Sequence, residues 1–95
     1  MSRAGAAFDQ RSALRQCMML LNDRQWSDAR EALTNLAAMV PHSNPYRALL
    51  SVARAREAQA AGRMNEANLE IQRALQLDPD CDLAKQALAE LSRRR

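Results

Sequence analysis

Aromatic side chains are almost missing from this 95-residue chain, which has one Trp, one Tyr and one Phe. A surface that stacks nucleic-acid bases on rings is therefore poorly supplied. Valine occurs twice and isoleucine once, which disfavours a β-rich architecture. Only two glycines and three prolines break the chain, and nineteen residues are alanine, so the composition reads as all-helical. Cysteine is scarce too. Cys17 and Cys81 lie far apart, and with the single histidine, His42, they match no zinc spacing. Both cysteines fall where a helical register wants small apolar side chains, so they read as reduced structural thiols. There is no Gly-rich phosphate loop, no HExxH, no G-x-S-x-G, and no Ser or Asp set beside a base. The expectation is a protein that is not an enzyme and holds no cofactor or metal. No stretch approaches a membrane span, and the opening MSRAGAAFDQRS lacks an apolar signal core, so a cytoplasmic, membrane-free protein is expected.

Net charge is small and local. The formal +3 is carried by Arg93, Arg94 and Arg95; the rest of the chain is balanced. That argues against a broad nucleic-acid footprint and leaves the tail as a helix end whose positive charge suits the helix dipole. The excess of Arg over a lone Lys85 points to a GC-rich bacterial genome.

What the chain does have is 47% apolar residues in helical spacing, enough for one small core without staples. A first helix is expected from Phe8 to Asn22, started by Asp9, with Ala13, Leu14, Cys17, Leu20 and Leu21 on one stripe. A second runs from Trp26 or Ser27 to Met39 and stops before Pro41. Asn44 is expected to cap a third helix with Pro45 at its first position, and Gly62 to end it. A fourth covers Met64 to Leu77 ahead of Pro79. A fifth starts near Asp80 or Asp82 and carries Leu83, Ala84, Ala87, Leu88 and Leu91 on one side. Short connections make sequential helices antiparallel neighbours.

The second and fourth helices repeat each other at a shift of 38 residues. Trp26 falls on Met64, Ala29 on Ala67, Leu33 on Ile71, Leu36 on Ala74, Ala37 on Leu75 and Pro41 on Pro79, while Asp28 matches Glu66 in charge. The preceding helices align as well, Cys17 on Ala55 and Leu20 on Ala58. Such self-similarity is the mark of a repeat array. Ala29 and Ala67 read as points where paired helices cross closely, flanked by the larger Leu33 and Ile71.

The stretch G-x-M-x-x-A-x-x-x-I-x-x-A-L-x-L-D-P, from Gly62 to Pro79, resembles the second half of a tetratricopeptide repeat, and Ala29 to Pro41 resembles it again. The first halves depart from that family: Ser51, Arg54, Ala55 and Ala58, with Ala13, Gln16, Cys17 and Leu20 before them, stand where W-x₂-L-G-x₂-Y is expected. The extra turn over the family's roughly 34-residue period is placed at Asn44 to Arg47. The resemblance implies an all-α array of two antiparallel helical hairpins plus a C-terminal capping helix. A flexible N-terminus is expected at residues 1–7. The domain is expected to span 8–92, as unit one (about 8–41), unit two (about 44–79) and the cap (about 80–92), followed by a basic tail at 93–95.

In such arrays the first helix of each unit lines a groove. By resemblance the groove residues here are Arg11, Leu14, Met18, Leu21 and Asn22 from unit one and Leu49, Val52, Arg56 and Gln59 from unit two, with Leu83 and Gln86 added by the fifth helix. An apolar floor edged by arginine suits a protein or peptide partner, an amphipathic helix or extended segment with aliphatic anchors and an acidic residue. Adaptor, scaffold and small chaperone all fit. The lysine and asparagine clamp that some family members use on a chaperone's acidic C-terminus is replaced here by Leu14, Met18, Leu49 and Ala53, which argues against that partner. Trp26 reads as a core residue. The rival readings are a homodimeric helical domain with no groove ligand, and nucleic-acid contact through the arginine tail. Leu49→Glu is the substitution expected to lose a groove partner while keeping the fold.

Overall fold

A computed structural model describes residues 9–93. Among them the chain forms five α-helices and no strand: α1 (Gln10–Asn22), α2 (Trp26–Met39), α3 (Asn44–Ala60), α4 (Met64–Leu77) and α5 (Asp82–Arg93). The expected flexible N-terminus, together with Phe8, Arg94 and Arg95, lies outside the described residues.

Each start has a local cause. Asp9 caps α1: its Oδ1 accepts from the Arg11 and Ser12 amides at 3.1 and 3.4 Å, and its Oδ2 accepts from the Ser12 hydroxyl at 2.8 Å. The hydroxyl bond is the main reason its carboxyl sits below the usual aspartate range. At α3 the cap is Ser43 rather than Asn44. Ser43 has the extended backbone of a cap, and its Oγ accepts from the Tyr46 amide at 3.2 Å. Asn44 is already helical and turns its side chain to Arg47. Pro45 is thereby the second helical residue, where its missing N–H still costs nothing. α2 and α4 begin at Gln25 and Arg63 with no side-chain cap. They are launched instead by the turn that closes the helix before each.

Those two turns carry the repeat in the backbone. After α1, Arg24 N–H donates to the Leu21 carbonyl and Gln25 N–H to the Leu20 carbonyl; after α3, Gly62 donates to Gln59 and Arg63 to Ala58. Both are Schellman motifs, which need a left-handed residue just past the helix. Gly62 supplies it at φ +82° and Arg24 at φ +61°. The linkers after α2 and α4 match in the same way: Ser43 donates to Val40 as Cys81 does to Asp78, and Arg47 to Ser43 as Lys85 does to Cys81. Every one of these pairs is offset by 38 residues, so α5 begins in the register of α3.

The core follows the alanines. Ala29 and Ala67 are fully buried, as are Leu33 and Ile71. One cluster joins Cys17 and Leu21 of α1 to Ala29, Leu33 and Leu36 of α2 and Ala53 of α3. Beyond α3, Ala55 and Ala58 meet Ala67 and Ile71 of α4 and Ala87 and Leu91 of α5. Ala48 and Val52 meet Ala74, Cys81 and Ala84. α3 is thus packed on two sides, and only small side chains let α2 and α4 both approach it. Both cysteines are free and buried, and burial raises their thiol pKa, which keeps them protonated and unreactive.

The ends of the array are polar. α3 presents Ala48, Val52 and Ala55 to α4 and α5, and at the same register α5 carries Gln86, Glu90 and Arg93. At the other end, Leu49, Leu50 and Ala53 of α3 face the first hairpin, whereas α1 has the exposed Arg11, Ser12 and Arg15. Polar outer faces are what terminal helices of a stacked array need. No helix among the described residues is long and apolar enough to cross a membrane.

Candidate functional site

α1, α3 and α5 lie side by side around a cleft of about 210 Å³. Its lining comes from all three: Met18, Leu21 and Asn22 from α1, Val52 and Arg56 from α3, and Leu83 and Gln86 from α5, with Arg24 and Trp26 added by the turn into α2. Leu21 and Val52 are buried and form the floor, which they share with the core. Met18, 38% exposed, stands on the wall. The apolar side chains are held from beneath by the packed clusters, and α3 is held by helices on both sides. The cleft therefore rests on rigid elements rather than on loops.

A polar lock closes one end. The Arg56 guanidinium lies 5.3 Å from the Trp26 ring centroid and reaches Glu90 of α5 with both terminal nitrogens, each at 2.9 Å. Its Nη1 also donates to Gln59 at 3.1 Å. Arg56 is 13% exposed and Glu90 40%. The arginine's forked bonds hold the Glu90 carboxyl below its ordinary pKa. A second tie fixes the mouth. Glu57 accepts from Arg30 Nε at 2.6 Å and from the Ser27 hydroxyl at 2.7 Å, joining the start of α2 to α3.

Of the nine expected groove residues, Met18, Leu21, Asn22, Val52 and Arg56 come together in this cleft, and Gln59 lines its continuation with Arg24, Trp26, Arg56, Ala60 and Glu90. Leu14 and Leu49 do not line it. They are half-buried against the first cluster, and Leu49 also touches the third. Arg11 is exposed on the outer side of α1. Leu49→Glu is therefore expected to cost stability as well as any binding, because a charge would replace a side chain packed against both clusters, so it does not separate the two effects.

Three contributors go beyond the sequence reading. Trp26 does pack on the core, and the same ring also walls the cleft beneath Arg56. Glu90 reaches Arg56 because α5 is stacked on α3. Arg24 lines every part of this face. The repeat register carried a signal for it, since Arg24 falls on Gly62 at the 38-residue shift. His42 is exposed in the connection between α2 and α3, away from the cleft. Among the described residues no three His, Cys, Asp or Glu side chains cluster as metal ligands would.

No family model, curated protein or solved structure matches this chain.

Proposed function

We propose that this chain is a cytoplasmic protein-interaction module of a bacterial cell, a tetratricopeptide-like array that performs no catalysis. It takes a partner's amphipathic helix or extended segment into the cleft between α1, α3 and α5, as an adaptor or scaffold or as a small chaperone for an assembly subunit. The observation that supports this most is the cleft itself, with a buried apolar floor of Leu21 and Val52 beside arginine and glutamine side chains on a rigid three-helix frame. An aliphatic side chain of a partner fits the floor, and the polar rim sets its direction.

The test uses Met18, whose exposure lets it be changed without loss of the core. In affinity capture from the native host, Met18→Glu is expected to lose the partner held by the wild type. Leu69→Glu, on α4 at 67% exposure and outside the cleft, is expected to keep it. Equal retention by Met18→Glu and the wild type would remove the cleft from the account. Sedimentation at micromolar concentration adds the oligomeric state: a tight dimer that buries Met18 would replace this reading with a homodimeric one.

A further inference from the structure

We propose that Arg24 is a carboxylate-reading residue, held at the mouth of the cleft to pair with an acidic side chain of the bound segment. This deepens the protein-binding function proposed above and rests on it. The first observation is conformational. The turn after α1 demands a left-handed residue, and the equivalent turn after α3 meets the demand with Gly62, at which an added Cβ would meet nothing within 4 Å. The backbone asks for glycine at both places, and position 24 carries arginine at φ +61°. A strained non-glycine residue persists where its side chain has a use.

The second observation is electrostatic. The cleft has two arginines, and Arg56 is already taken: Glu90 fills its fork and Trp26 its face. Arg24 makes no direct ion pair with any described residue and acts on the Glu90 carboxyl only at longer range, as a minor contributor to its lowered pKa. It stands beside Met18, Leu21 and Leu83 on one side and beside Arg56 and Gln59 on the other. An incoming carboxylate flanked by aliphatic side chains would find a charge at Arg24 and a floor next to it. A polyanion is a poorer fit, because Arg24 stands here among Asp28, Glu57 and Glu90 and not in a run of positive charge.

Trp26 is the chain's only tryptophan and lines this cleft, so its fluorescence reports occupancy. The probes are an acetylated, amidated 14-residue peptide of Leu, Ala and Glu and its twin with Gln for every Glu. The wild type should saturate with the Glu peptide and bind the Gln twin about tenfold more weakly, the discrimination expected of one charge-assisted hydrogen-bonded pair. Arg24→Gly should lose that tenfold preference while raising Tm, and Arg24→Lys should keep part of it. An Arg24→Gly variant that discriminates as the wild type does would overturn the proposal and leave the cleft reading intact. Equal wild-type binding of both peptides would do the same. A Trp26 signal that neither peptide moves would count against the cleft as well. Displacement of the Glu peptide by a single-stranded oligonucleotide, with steep salt dependence, would overturn it in favour of nucleic acid.

Discussion

Ile71→Ala is expected to cost about 3–4 kcal/mol, within the range for deleting a large buried aliphatic side chain. Ile71 is fully buried, and its cluster is unusual in being made largely of alanine: Ala55, Ala58, Ala67 and Ala87, with Leu91 the large member. Alanine has no rotamer with which to lean into a void, so relaxation is left to Leu91 and to the partly buried Leu75 and Leu88, and much of the cavity term is felt. A domain of this size has a total stability of about 5–14 kcal/mol, so the loss is a sizeable share of it. Ile71→Val should cost only about 1 kcal/mol. Denaturant unfolding followed by circular dichroism checks both values. A cost below about 1 kcal/mol for the alanine variant would show that α4 and α5 do not close on α3 as described.

Arg56→Ala is expected to cost about 2 kcal/mol, summing a forked charge-assisted contact and a cation–π contact at a partly buried site. The estimate stays below that for a fully buried pair because Glu90, 40% exposed, can rehydrate once its partner is gone. Arg56→Lys should recover less than half, since an ammonium cannot fork to both carboxylate oxygens. The pair also carries a pH signature. Glu90 has its pKa depressed in the folded state, mainly by the hydrogen bonds from Arg56. Its contribution is therefore present above the unfolded value and lost as pH falls through the folded one. The stability gap between wild type and Glu90→Gln should be flat at neutral pH and shrink as pH drops below 4.5, the ordinary glutamate value. A gap that widens in acid would contradict the pairing.

The elements that the sequence displays best are those fixed by local chemistry. α2 and α4 have the expected limits because the apolar steps are regular and Pro41 and Pro79 deny the chain another turn. Gly62 ends α3 because left-handed backbone is easy only for glycine. Where two adjacent residues could cap, as Ser43 and Asn44 can at α3, composition does not choose. The choice falls to which backbone is extended, and that is set by the turn from Val40. The candidate site is legible in part. Met18, Leu21, Asn22, Val52 and Arg56, groove residues that the family resemblance implies, line one cleft. Leu14 and Leu49 do not, because the apolar side chains nearest the α2 interface are drawn into the core. The contact between Arg56 and Glu90 joins residues 34 positions apart and depends on the stacking of α5, which no local pattern encodes. Trp26 shows the same limit from the other direction, for one ring serves as core on its inner face and as cleft wall on its outer one.

The central claim is that partners are met on the side lined by α1, α3 and α5. Site-specific photo-crosslinking in the native host tests it most directly, with a photoreactive side chain placed at position 18 or, on α4, at position 69. Both positions are exposed, and only Met18 lines the cleft. A discrete adduct with another protein is expected from position 18 and none from position 69. An adduct from position 69 alone, or from position 18 only with a second copy of this chain, would contradict it.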